Sequence, residues 1–160
     1  MDSFNRLPNV TKALLIINIG FFGASYIYPE LNRLLALFYF ESPFYQPHQL
    51  ISHVFMHSGI AHLLFNMYAL VLFGSAVEKI LHANRFLLLY FFSALGAFLL
   101  HMGIVWYELS GVPADVLIQM QQEGAQVLAE NKNYTHAYLG GINLKLNGAA
   151  VGASGALMGV

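Results

Sequence analysis

Two apolar runs, residues 61–77 and 86–107, are separated only by the segment 78–85, which holds Glu78, Lys79, His82, Asn84 and Arg85. A helix of about 20 apolar residues crosses the roughly 30 Å hydrocarbon core of a bilayer. So short a connection between two such runs implies an antiparallel pair of spanning helices. An earlier run, residues 13–28, ends at Pro29 and Glu30. A cleaved leader would also begin basic and turn apolar, but no small-x-small cleavage pattern follows this run. It is read as the first span.

Composition agrees with that reading. Charged residues make up 9% of the chain and apolar residues 58%, whereas soluble domains are about a quarter charged. The net charge of −1 and the lack of any Lys/Arg run argue against nucleic-acid binding. With no cysteine there is no disulfide framework and no thiol nucleophile. No cofactor or metal is expected.

Between the first two spans, residues 31–49 stay aromatic but are broken by Arg33, Glu41, Pro43 and Pro47. Such a segment is expected to lie at the headgroup level, as an interfacial loop over 29–52. The long polar segment 108–147 contains a stretch, 116–130, compatible with an amphipathic surface helix, while 131–147 reads as loop. From 149 to 160 the chain turns apolar again. A helix over those residues would be about 18 Å long, short of a full span, so the sequence is expected to be truncated within a fourth transmembrane helix. Arg6, Lys12, Lys79 and Arg85 crowd the short segments on one side, and the longer opposite segments hold only Arg33, Lys132 and Lys145. The N-terminus is therefore expected to be cytoplasmic, and 108–147 to face outward, in a multi-pass protein of a bacterial inner membrane.

Intramembrane polar groups are costly and mark function by default. Ser154 stands among small residues, with Gly148, Gly152, Gly155 and Gly159 spaced to let another helix approach closely. A hydroxyl at a helix start sits beside unpaired backbone donors, which suits a nucleophile whose product is an oxyanion. His62 and Asn66, four apart on one helix face, can both donate to a single point. The alternative is that they only tie helices together, and that Ser154 bonds back to a carbonyl one turn earlier. His53, His57 and His62 raise a metal site as a weaker alternative. His82, His101 and Asn18 are read as structural.

The set His57, His62, Leu63 and Asn66, then Gly74 to Glu78, and finally Gly152, Ala153, Ser154, Gly155 and Ala156 resembles the rhomboid family of intramembrane serine proteases. The resemblance implies an all-α, rhomboid-like bundle of six membrane helices with a membrane-dipping first loop. By that likeness Ser154 is the nucleophile and His62 and Asn66 support the oxyanion. His57, Gly152 and Gly155 are structural neighbours. The implied substrates are single-span membrane proteins in the lipid bilayer. The family's catalytic histidine lies on a sixth helix, and none of the seven histidines here takes that place, so residues 1–160 alone are expected to be inactive. His48 and Gln49 stand where a Trp-Arg pair is common, and Met158 where an aromatic often follows the serine. A catalytically silent relative that binds membrane clients, and an unrelated membrane scaffold, are the other readings.

Overall fold

The computed structural model describes residues 2–159. After a short N-terminal turn, α1 runs Asn9–Ile27. Its inward stripe is Thr11, Leu14, Asn18 and Ser25, while Ile16, Ile17 and Ile19 point outward. Loop 1 follows and carries two short helices, α2 (Glu30–Leu35) and α3 (Gln49–Ser52), the second running into a 3₁₀ turn at His53–Phe55.

Helix α4 begins at Ile60 and passes through a π-turn at Leu70–Gly74. Helical structure then continues over Ser75–Leu109 but is broken at His82, whose φ of 65° lies outside the helical region. The chain reverses there, ending α4 and starting α5 (83–109). Gly74 marks the crossing of three helices. A Cβ on it would lie 2.9 Å from Leu70 Cδ1 and 3.3 Å from Phe86 Cζ, with Thr11 Oγ1 3.7 Å away. The expected antiparallel pair is thus present, with Phe86 returning alongside Gly74.

Among the described residues, two helical stretches are long and apolar enough to cross a membrane, Asn9–Ile27 and the bent Ile60–Leu109. Only 22% of each apolar window is buried. A core helix of a soluble protein would turn most of such a window inward, whereas these present theirs to the surroundings, as lipid-facing helices do.

The inward residues form two cores. Leu14, Leu63, Met67, Leu70, Phe86 and Tyr90 fill the first, between the spans. The second joins loop 1 (Leu37, Tyr39) to the far end of α5 (Met102, Val105, Leu109) and to the segment after it. That segment is a helical hairpin. Its first arm, α6 (114–129), has a π-turn at Met120–Gly124 and matches the expected amphipathic helix. The second, α7 (Ala137–Asn147), replaces the loop expected over 131–147. The reason lies in its asparagines. Asn143 Nδ2 donates to Gly124 O at 3.0 Å and Asn147 Nδ2 to Met120 O at 2.8 Å, carbonyls at the two ends of the π-turn. Leu139, Ile142 and Leu146 complete the face with apolar contact. Residues that favour turns in isolation are helical here because a partner helix satisfies their amides.

A second correction concerns the helix expected over 149–160. The chain is extended after α7, pairs as a β-bridge between Ala150 and Leu37, and becomes helical only at Ser154 (α8, Ser154–Leu157). Gly152 has φ +118°, which a helix cannot contain. Gly148 and Gly152 therefore do not belong to a helix face, whereas Gly155 and Gly159 do lie against Ala97 and Ser93 of α5.

Candidate functional site

The site forms where the extended segment before α8 meets the start of α4. Three backbone bonds hold the segment. Leu37 and Ala150 exchange N–H···O bonds at 2.9 and 2.8 Å, and the Gly152 N–H donates to His53 O at 3.0 Å. His53 is itself fixed, its Nδ1–H donating to Gln49 O at 2.7 Å. Gln49, fully buried, anchors loop 1: its amide donates to Phe44 O at 2.9 Å and Leu34 O at 3.3 Å and accepts from Gln46 N. His48 Nε2 also reaches Leu34 O at 2.8 Å. The residues standing in place of a Trp-Arg pair thus brace the same loop by amide and imidazole hydrogen bonds.

Gly152 brings the serine segment onto the polar face of α4. A Cβ there would sit 2.7 Å from both Cε1 and Nε2 of His62 and 3.6 Å from Asn66 Nδ2. Only glycine fits, on grounds of space and of φ alike. Two residues on, Ser154 opens α8. Its neighbours Ala153 and Ala156 are fully buried and Gly155 lies against Ala97, yet Ser154 itself is exposed and its Oγ has no hydrogen-bond partner among the described residues.

The polar face carries a buried free donor. Asn66 is buried and its Nδ2 has no hydrogen-bond partner among the described residues, an arrangement that costs on the order of 1–3 kcal/mol unless a ligand completes it. His62 meets Ser58, whose Oγ lies 3.1 Å from Nδ1. When the hydroxyl donates to Nδ1, the ring proton resides on Nε2, the atom facing Gly152. The His57 ring stands edge-on to His62 at 5.2 Å. Burial, with a further contribution from His62, lowers the His57 pKa to about 4, so the ring is neutral at physiological pH. Its Nδ1–H donates to Phe55 O at 3.3 Å. Burial also lowers the His53 pKa, opposed by the Gln49 carbonyl. Among the described residues no three metal-ligating side chains converge.

Ser154, Gly152, Gly155, His62, Asn66 and His57, singled out in the sequence, are therefore neighbours or members of one constellation. His82 lies instead at the α4–α5 turn and His101 is exposed on α5. Ser58 was missed. Its one signal was its place four residues before His62. A cavity of about 650 Å³ adjoins this constellation, lined by Phe22, Tyr26, Ala36, His57, Ile60 and Val151 among others.

A model of the Rhomboid domain matches residues 45–160. Comparison with curated proteins and with solved structures yields no match. The matched residues include every member of the constellation, from His57 on α4's approach to Ser154 at the start of α8, and the chain belongs to the rhomboid family.

Proposed function

We propose that the protein acts as an intramembrane serine endopeptidase in which Ser154 Oγ attacks a peptide carbonyl of a membrane-spanning substrate. The observation that carries this reading is the seating of Gly152 against His62 Nε2 and Asn66 Nδ2, with Asn66 Nδ2 buried and unpartnered. As the Oγ–C bond forms, the carbonyl oxygen becomes an oxyanion. It accepts from Asn66 Nδ2–H, from His62 Nε2–H and from the Ser154 backbone N–H, which the first turn of a helix leaves unbonded. The serine proton passes to a histidine base supplied from outside residues 1–160, in the manner the family resemblance implies, and then to the leaving amine as the C–N bond breaks. Water, activated by the same base, releases the acyl group as a carboxylate.

The exposure of Ser154 supports a site that admits water. The substrates are single-span membrane proteins. The charge distribution of the loops supports a multi-pass arrangement with the N-terminus cytoplasmic and the serine toward the outer side. Residues 1–160 alone are expected to leave a model membrane substrate intact, because a nucleophile without its base loses most of its catalysis. The test is fluorophosphonate labelling of the full-length protein in detergent, with cleavage of that substrate. Labelling that Ser154→Ala abolishes is the expected result. A folded full-length protein that never labels overturns the proposal in favour of a client-binding role.

A further inference from the structure

Two cavities that share no lining residue with the serine site adjoin at Asn84. The smaller, about 550 Å³, is lined by Leu81, His82, Ala83, Asn84 and Arg85 at the α4–α5 turn. The larger, about 860 Å³, runs from Asn84 along Leu87, Leu88, Phe91, Phe92 and Leu95 of α5 and is roofed by Pro47, Leu50 and Ile51 of loop 1. The smaller carries the side chains of His82, Asn84 and Arg85 among its lining residues, and the larger is almost wholly apolar.

We propose that this pair of cavities is a binding site for one anionic phospholipid, its headgroup at His82, Asn84 and Arg85 and an acyl chain in the groove below loop 1. Three observations select that occupant. First, the groove spans the 11 residue steps from Asn84 to Leu95, about 16 Å at 1.5 Å per residue, which is close to half of the roughly 30 Å hydrocarbon core. It is the depth of one leaflet, closed at its inner end by the loop 1 roof.

Second, its walls are Leu, Phe and Ile side chains. Helices that pack closely in membranes meet through small residues, as Gly155 meets Ala97 on the other face of α5. The groove has no such face, and a flexible acyl chain conforms to it better than a helix would. Third, Arg85 is exposed and makes no ion pair among the described residues, at the level where a phosphate would lie. A guanidinium with free donors matches a phosphodiester.

The site is tested by tryptophan quenching in vesicles of phosphatidylcholine with increasing brominated-chain phosphatidylglycerol. The full-length protein carries Trp106→Phe with either Leu88→Trp in the groove or Phe73→Trp on the exposed face of α4. Apparent association at position 88 is expected to exceed that at position 73 by about fivefold, the contribution of one basic side chain at an anionic surface. Arg85→Gln should remove the excess, and added salt should diminish it. Equal quenching at both positions, or an excess that survives Arg85→Gln, overturns the proposal. So does an unquenched tryptophan at position 88, which would mean that protein covers the groove. A second measurement needs no tryptophan variant: native mass spectrometry of the unaltered protein and Arg85→Gln. About fivefold less phosphatidylglycerol retained by the variant, with phosphatidylcholine unchanged, supports the site, and equal retention overturns it.

Discussion

Glu78 and Thr11, 67 residues apart in the chain, share two hydrogen bonds: one carboxylate oxygen accepts the Thr11 N–H at 2.7 Å and the Thr11 hydroxyl at 2.8 Å. The other oxygen accepts Val10 N–H at 2.9 Å. A buried carboxylate near the end of α4 thus supplies acceptors for the first turn of α1, whose amides have no partner within their own helix. Pro8 precedes that helix and no local side chain caps it.

Glu78→Ala should therefore cost on the order of 3 kcal/mol of unfolding free energy, since it removes three charge-assisted bonds and orphans one buried and one part-buried amide. Thr11→Val, which removes only the hydroxyl, should cost about 1 kcal/mol. Denaturant unfolding in detergent micelles measures both. Equal losses for the two variants would show that the carboxylate does not cap the helix.

At the site, Gly152→Ala should abolish fluorophosphonate labelling of the full-length protein, because the new methyl collides with the His62 ring at a φ that alanine resists. Gly20→Ala, in a span where nothing lies within 4 Å of the added carbon, should label normally. If both variants label alike, His62 and the serine segment are not in contact.

Under the proposed mechanism, oxyanion support separates by residue. Asn66→Ala should lower kcat by roughly 10²-fold, the usual effect of losing one donor. Ser58→Ala should lower it about tenfold with KM nearly unchanged, since the ring keeps its place but loses the hydroxyl that favours the Nε2 proton. An effect of Ser58→Ala confined to KM would instead make Ser58 a substrate contact.

Acid should destabilise the fold through His57. Its folded pKa, about 4, lies below the unfolded value of about 6.5, so between those limits the unfolded chain binds more protons. Stability is then complete above about pH 6.5 and declines as pH falls toward 4. His57→Gln should flatten that part of the profile. Melting temperature recorded from pH 7.5 to 4 checks this, and an unchanged slope in the variant would assign the loss to other groups.

The spans were legible in the sequence because they rest on local rules, apolar run length and a short turn, and a four-residue spacing puts His62 and Asn66 on one helix face. Their nearness to the serine segment is long-range and followed only from the family resemblance. The hairpin was half legible. Its first arm shows an amphipathic pattern, but α7 owes its helix to Asn143 and Asn147 bonding into α6, and a long-range partner leaves no mark on local propensity. The segment before Ser154 was misread for the same reason. Its small apolar residues suit a membrane helix, and what keeps it extended is Leu37, more than a hundred residues earlier in the chain. The role of His48 and Gln49 was equally invisible, since both act through carbonyls of a loop whose path the sequence does not give.

The Leu37–Ala150 bridge also has a kinetic meaning. Each amide is masked by the other residue's carbonyl, so separation of the two segments exposes both protons to deuterium at once. Loop 1 and the Ser154 segment then share a single opening event. A ligand that suppresses that separation slows exchange at Leu37 and Ala150 together, so loop 1 reports on the candidate site through the bridge.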